Sequence, residues 1–269
     1  MLSAYVSTCL LTIAYDGTHY AGWQRQLGES TVQEALERAL TTIFGTRVPV
    51  EGSGRTDAGV HAFGQAAHVV LPKPFLLPKL VPALNGNLPD DISVRSVRPA
   101  PEGFHARFCA IGKRYVYRCV TSKVRPAVGR GYYHWVRRPL DLQAMRRAGR
   151  LLIGRHDFAS FATNPGYERK RGTVRTLRHV QIVQRSWGFD LAVQGDGFLY
   201  NMVRTIAGTL IDVGSGRRSV DQFGEILRRR DRREAGPTAP ACGLYLLSVL
   251  YPDPLVKAAA CTVPGDPLS

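Results

Sequence analysis

Lysine, acidic residues and cysteine are all scarce in this sequence. Of its 269 residues, 36 are Lys or Arg and only 21 are Asp or Glu, which leaves a formal charge of +15. This balance excludes an acidic, calcium-buffering protein. Only six of the basic residues are Lys, and the other 30 are Arg, whose planar guanidinium pairs with phosphate and stacks on bases. A nucleic-acid partner is the first hypothesis, and an arginine-rich coding bias is the alternative.

Membrane segments and metal-binding cysteine patterns are also missing. The five cysteines include no C-x-x-C pair, which argues against a disulfide framework and a zinc knuckle. No apolar run approaches the roughly 18 residues that span a bilayer. The apolar run near residue 10 lacks the basic residues and the cleavage site of a signal peptide. We therefore expect a cytoplasmic protein with no membrane partner.

Strand and helix patterns are mixed along the chain and predict an α+β fold. A buried strand over 8–15 precedes an amphipathic helix that Thr31 and Glu34 would cap. The Pro-rich break near residue 100 predicts a boundary between an N-terminal domain, 1–103, and a C-terminal domain, 104–252. The remainder, 253–269, is expected to be a flexible tail.

The second half repeats this mixture of elements. A strand over 107–121 places Tyr115 on one face and Arg114 on the other, which suggests a polar face near RNA. Three helices are expected, one over 141–152, one over 199–213 and one that begins at Ser219 with Gln222 completing a capping box. An apolar segment near the end, 243–251, is typical of a central strand.

The loop G-S-G-R-T-D-A-G-V-H, residues 52–61, is the most informative stretch for function. It places Asp57 two residues after Arg55 and two before Gly59, among glycines that let a ligand approach the backbone. Catalysis by Asp57 is one interpretation, and a structural Asx-turn is the other. The glycines match neither the dinucleotide-binding loop nor the Walker A loop.

The segment G-R-T-D-A-G-V-H-A resembles the catalytic signature of the TruA family of tRNA pseudouridine synthases. Six further segments resemble that family in the same order: Y-D-G-T-H-Y-A-G-W-Q-R-Q (15–26), F-H-A-R-F (104–108), K-R-Y-V-Y (113–117), H-D-F-A-S-F (156–161), F-L-Y-N-M-V-R-T-I-A-G (198–208) and G-L-Y-L (243–246). The resemblance covers roughly residues 8–252.

This resemblance implies isomerisation of uridine to pseudouridine at positions 38, 39 and 40 in the anticodon stem-loop of tRNA, without metal or cofactor. It implies two ferredoxin-like or RRM-like halves whose antiparallel sheets flank a central basic cleft. It also implies a homodimer in which one tRNA touches both subunits.

The resemblance assigns roles to five residues. Asp57 would be the catalytic carboxylate, and a salt bridge from Arg204 would keep it ionised. Arg55 would contact the RNA backbone or help displace the target base. Tyr115 would stack on the extruded uracil, and Leu244 would form the floor of its pocket. The alternatives are a solvated helix charge for Arg204 and core positions for Tyr115 and Leu244.

Clustered arginines are expected to face phosphate. Five of the six residues 228–233 are Arg, more than the favourable interaction with one helix C-terminus requires. The RNA-binding set predicted from the sequence is Arg25, Arg114, Arg169, Arg171, Arg228, Arg229 and Arg230.

Two rival functions remain open at this point. A metal-dependent RNA hydrolase could use Asp16, Asp57 and Asp196 with Mg²⁺. A non-catalytic RNA-binding module would need none of these carboxylates. No metal site is expected, and Asp157 is predicted to cap the turn that follows it.

Overall fold

A computed structural model describes residues 8–164, 166 and 172–252. These residues form ten strands and five α-helices, which confirms the predicted α+β class. The strands are β1 (Thr8–Tyr15), β2 (Glu51–Gly52), β3 (His61–Val70), β4 (Ile92–Pro99), β5 (Gly112–Thr121), β6 (His134–Val136), β7 (Gly154–Asp157), β8 (Val174–Arg185), β9 (Gly188–Gly195) and β10 (Leu244–Leu250). The helices are α1 (Val32–Phe44), α2 (Leu77–Asn85), α3 (Leu142–Arg150), α4 (Met202–Gly214) and α5 (Val220–Arg229).

The chain divides into two compact units. The first unit ends at Ile111 and takes up the chain again at Leu246, whereas the second unit is Gly112–Tyr245. The boundary expected at 103/104 falls inside the first unit. The strand β10 begins at the end of the second unit, and from Leu246 onward it belongs to the first.

The sheet of the first unit has β1 between β4 and β3, and both neighbours are antiparallel to it. β2 is antiparallel to β3, and β10 also hydrogen-bonds to β3. The succession β1-α1-β2-β3-α2-β4 with this strand order is a ferredoxin-like arrangement. Because β1 is central, its side chains Leu11 and Ile13 are fully buried.

The sheet of the second unit runs β5-β9-β8-β7 with antiparallel neighbours, and β6 pairs parallel to β5. α3 packs against β8, α4 and α5. The face of β5 that carries Arg114 is not polar along its length. Arg118 on that face is buried, 3.5 Å from Asp190 and with its guanidinium 5.5 Å from the ring of Trp187. Only the end of this face near Arg114 is open to solvent.

Several local expectations can be compared with the structure. The capping box of α5 is present, with Ser219 and Gln222 bonded reciprocally. Thr31 is the N-cap of α1, as expected, but its side chain makes no capping hydrogen bond, so the predicted capping box of Thr31 and Glu34 is wrong. Asp157 does cap the following turn, since its Oδ1 accepts from the amide of Ala159. Among the described residues, no helix has both the length and the apolarity needed to cross a membrane.

Candidate active site

Asp57 lies at the start of a tight turn in the first unit. The amide of Val60 donates to the carbonyl of Asp57 over 3.1 Å. Gly59, the third residue of the turn, has φ 74°, a conformation that other residues adopt only at a cost. The side chain of Asp57 is half-buried and therefore accessible to a ligand. Arg55, two residues earlier, is exposed.

Thr56, the neighbour of Asp57, is held by two distant contacts. Its hydroxyl lies 2.8 Å from the phenol oxygen of Tyr15 at the end of β1. Its carbonyl accepts from the amide of Trp23 over 3.1 Å. Burial raises the pKa of the Tyr15 phenol far above its ordinary value, so this group stays neutral and available for hydrogen bonding. The backbone beside Asp57 is therefore anchored to residues more than thirty positions away.

The opening segment, 15–26, packs directly on the Asp57 loop at two glycines. A Cβ on Gly17 would lie 2.1 Å from the carbonyl oxygen of Val60. A Cβ on Gly22 would lie 2.5 Å from the carbonyl oxygen of Thr56, and Gly22 has φ +101°. No larger residue fits at either position without moving the loop. The two motifs that the sequence presents separately are one packed substructure.

A buried histidine joins the same two segments. His61 follows the loop at the start of β3 and is 2% exposed. Its Nδ1 lies 3.0 Å from Asp16 Oδ1 and 3.1 Å from the amide nitrogen of Gly17. A hydrogen on Nδ1 donates to the carboxylate, whereas a lone pair there accepts from the amide, so the two contacts belong to alternative tautomers. In either state His61 ties the loop to the end of β1.

Arg204 in the second unit has a fixed guanidinium. It lies in the first turn of α4, where its Nε donates to the carbonyl of Ala239 over 2.8 Å and its Nη1 donates to Asn201 Oδ1 over 2.9 Å. Asn201 itself has φ 62°, a left-handed conformation that is uncommon outside glycine. Sequence reasoning missed Asn201, although its position just before α4 and its side-chain amide are typical of a residue that tolerates this conformation.

Tyr115 and Leu244 are both buried in the second unit, 7% and 6% exposed. The ring of Phe198 packs edge-on against Tyr115 with centroids 5.0 Å apart. Tyr115 is thus an aromatic side chain of β5 whose ring orientation is set by a neighbour. Asp57 and Arg55 belong to the first unit, and Tyr115, Arg204 and Leu244 belong to the second.

The arginines predicted to bind RNA are differently placed. Arg114 is exposed and donates to Gln194 Oε1 over 2.9 Å. Arg25 is about half-exposed and lies 3.3 Å from Glu37. Arg169 and Arg171 lie outside the described residues.

The three consecutive arginines at the end of α5 each have an acidic neighbour. Arg228 pairs with Glu225, Arg229 is 3.4 Å from Glu234, and Arg230 is 3.4 Å from Asp157. All three side chains are more than half exposed. Arg228 and Arg230 also line a cavity of about 430 Å³ together with Arg155 and His156. The cluster is thus a partly compensated surface that remains open to solvent.

The carboxylates of the hydrolase hypothesis have other structural partners. Asp16 Oδ1 accepts from the amide and the hydroxyl of Thr18, and Asp196 Oδ1 accepts from the amide of Thr176. Across 8–164 and 172–252, no three His, Cys, Asp or Glu side chains converge in a way that could hold a metal ion.

Comparison with known proteins gives a consistent result. A sequence profile of the family described as tRNA pseudouridine synthase matches residues 11–109 and 148–252. tRNA pseudouridine synthase A of Bacillus velezensis is 47% identical over 243 residues, covering 89% of this chain and 97% of the relative. The protein of the same name from Syntrophotalea carbinolica is 45% identical over 246 residues, covering 91% and 97%. That from Pseudomonas aeruginosa is 43% identical over 251 residues, covering 93% and 87%.

Proposed function

The chain belongs to the tRNA pseudouridine synthase family and is an enzyme of that class, and from this premise we propose that it isomerises uridines 38, 39 and 40 in the anticodon stem-loop of tRNA with Asp57 as the catalytic carboxylate. The reaction breaks the bond from N1 to C1′, turns the free uracil and joins C5 to C1′, while C5 loses a proton and N1 gains one. All atoms of the uridine are retained, so the overall change consumes no oxidant, reductant or energy source.

Asp57 has the chemistry that this rearrangement requires. An ionised carboxylate can attack C1′, attack C6 or remove a sugar proton, and each route needs the anion rather than the acid. Arg204 is the cation proposed to keep Asp57 ionised, since a nearby positive charge favours the charged form of a carboxyl group. The hydrogen bonds from Arg204 to Ala239 and Asn201 hold that guanidinium in one orientation.

The single observation that best supports the proposal is the anchoring of the Asp57 loop. Contacts from Tyr15, Trp23 and Gly22 restrain Thr56, while the Asp57 side chain itself stays half-buried and accessible. A reactive group held this way has little orientational freedom to lose when substrate binds.

The remaining proposed contacts follow from the same premise. Arg55 is exposed beside Asp57 and would contact the RNA backbone or displace the target base. Tyr115 would hold the face of the extruded uracil, with Phe198 fixing its ring plane. Leu244 would provide an apolar floor. Arg25, Arg114, Arg228, Arg229 and Arg230 would contact phosphates, because each side chain remains accessible beside its internal partner.

The decisive experiment maps pseudouridine in unmodified tRNA after incubation with the wild type and with Asp57→Asn. The wild type should convert uridines at positions 38, 39 and 40, and Asp57→Asn should abolish conversion while tRNA affinity stays within about tenfold, since the amide cannot act as a nucleophile or base. Asp90→Asn is the matched control, because it removes an exposed carboxylate from the same unit. Full activity of Asp57→Asn would refute the assignment.

The same incubation separates the rival functions. Excess chelator should leave isomerisation intact, whereas a metal-dependent hydrolase would stop and its RNA product would be shortened. If the chain were a non-catalytic RNA-binding module, the wild type and Asp57→Asn would bind tRNA with equal affinity, and neither protein would form pseudouridine.

A homodimer acting on tRNA in the cytoplasm completes the proposal. Sedimentation of the protein with and without tRNA tests the subunit number directly. A monomer that binds and modifies tRNA at all concentrations would contradict the dimeric part alone.

A further inference from the structure

The segment 104–108 of the first unit buries one set of side chains and exposes another. Phe104 and Ala106 are 6% and 0% exposed and join a core cluster with Leu10 and Ala66. Phe108, by contrast, is 76% exposed. Phe108 therefore contributes almost no buried apolar surface to the core, and its ring is accessible to a ligand.

The exposed ring is the end of a row of three. The ring centroids of His105 and Phe108 are 4.2 Å apart with an interplanar angle of 39°. Those of His68 and His105 are 4.7 Å apart with an angle of 51°. We call His105 and Phe108, together with the adjoining Arg107, the aromatic platform. The guanidinium carbon of Arg107 lies 5.8 Å from the centroid of the Phe108 ring.

The backbone beneath the aromatic platform is firmly held. The hydroxyl of Tyr251 donates to the carbonyl of Ala106 over 2.7 Å, and the amide of Cys109 donates to the carbonyl of His105 over 3.0 Å. The amide of Ala106 donates to His68 Nδ1 over 3.2 Å. A rigid aromatic surface loses little conformational freedom when a planar ligand stacks on it.

The two imidazoles of the row each accept a backbone hydrogen bond at Nδ1. His68 Nδ1 accepts from Ala106, and His105 Nδ1 accepts from the amide of Arg107 over 3.1 Å, so the hydrogen of each neutral ring is on Nε2. Burial, and then the neighbouring His105, lower the pKa of His68 below its ordinary value. Arg107 at the edge of the aromatic platform carries a permanent positive charge, because a guanidinium is not deprotonated in proteins.

We propose that the aromatic platform stacks an unpaired nucleobase of the tRNA substrate, other than the uridine that is isomerised, while Arg107 contacts an adjacent phosphate. The inference rests on the proposed function and extends it by naming a second base contact. Exposed aromatic rings beside arginine are the means by which proteins hold single-stranded bases irrespective of sequence. The chain's excess of positive charge favours a polyanion over a protein as the occupant.

The test measures the Kd of the full-length protein for an unmodified tRNA transcript at several salt concentrations. Phe108→Ala should raise Kd about tenfold, because stacking on an aromatic ring contributes that order of affinity per base. Phe108→Leu should weaken binding nearly as much, since it keeps an apolar side chain but no ring face, whereas Phe108→Tyr should bind within about twofold of the wild type.

Salt dependence separates stacking from charge. The slope of log Kd against log salt should stay unchanged in the three Phe108 variants, because none removes a charge. Arg107→Gln should lower that slope by about 0.7 if it loses one phosphate contact in a single-stranded region. Val124→Ala is the matched control, because Val124 is 77% exposed and lies in the other unit. It should change neither Kd nor slope.

Two results would overturn the inference. Binding by Phe108→Ala or Phe108→Leu at wild-type affinity would remove the stacking role. Loss of self-association in Phe108→Ala, with unchanged tRNA affinity per protomer, would instead identify the surface as a contact between copies of the chain. Pseudouridine formation is measured in the same tRNA so that the two proposals can fail separately. If the wild type forms pseudouridine and Phe108→Ala binds tRNA as tightly as the wild type, only the stacking role of the aromatic platform is refuted.

Discussion

At the scale of single residues, the Asp57 loop depends on what its neighbours lack. Gly17 and Gly22 stand where a methyl group would meet a carbonyl oxygen of the loop. The motifs that contain them resemble a known family, so the sequence indicated which residues mattered. It could not indicate why, because the contact between Gly17 and Val60 joins positions 43 apart in the chain and leaves no local periodicity.

Gly22→Ala should reduce both stability and turnover. The positive φ costs about 1–3 kcal/mol, and the added Cβ also pushes the Thr56 carbonyl, and with it Asp57, out of position. Gly28→Ala is the matched control, since Gly28 has φ +77° but nothing within 4 Å of the added Cβ. Unfolding midpoints and kcat measured on both variants separate the two effects.

Gly28→Ala should lose stability alone, with kcat close to that of the wild type. A kcat for Gly22→Ala no lower than that for Gly28→Ala would show that the close packing of residue 22 on Thr56 does not position the carboxylate.

At the scale of elements, identical sequence signals had different outcomes. Ser219 with Gln222 and Thr31 with Glu34 both fit a capping box, yet only the first forms. Thr31 is buried and its hydroxyl has no partner among the described residues, because that side chain packs inward rather than over the helix end. The capping-box sequence shows that a capping hydrogen bond is possible, and tertiary packing determines whether that bond forms.

The helix α2 forms although the sequence does not predict a helix there. Its sequence, L-P-K-L-V-P-A-L-N, contains two prolines, which are typical of segments that are not helical. Pro78 lies in the first turn, where a missing amide costs nothing, and the burial of Leu80 and Leu84 stabilises the helix despite Pro82. The burial of these two leucines depends on residues distant in the sequence, so the segment alone does not reveal it.

Ser219→Ala should destabilise the protein by about 1 kcal/mol, because the amide of Gln222 loses its side-chain acceptor. Thr31→Val, which keeps the shape of the side chain and removes the hydroxyl, should be neutral or stabilising, since no hydrogen bond is lost. Denaturant unfolding of both variants measures the difference. Equal destabilisation by the two substitutions would contradict the assignment of only one functioning cap.

At the scale of the whole molecule, neutral tyrosines are distributed through both units. Burial is the main cause that raises the pKa of Tyr15, Tyr20, Tyr117 and Tyr251 above the ordinary value near 10. For Tyr20 the hydrogen bond to Asp91 adds to that increase. Since the folded state favours the protonated phenol, the contribution to stability is complete below pH 10 and is lost as the pH rises above it.

An alkaline titration followed by phenolate absorbance should therefore show at least four of the eleven tyrosines failing to ionise at pH 10 to 11 in the native protein. They should ionise together when the protein unfolds. The protein in concentrated guanidinium is the reference, in which every phenol titrates near its ordinary pKa. Coincident native and denatured curves would mean that these hydroxyls are not buried.

The course of the chain through its two units also has a consequence for biosynthesis. The residues Leu246–Leu250 of β10 return to the first unit and lie beside β3, the strand that follows the Asp57 loop. A ribosome must therefore translate the whole of the second unit before this sheet can acquire its final strand. Until then the part of the β3 edge that β2 does not pair stays exposed in the nascent chain, and the unit that begins first is completed last.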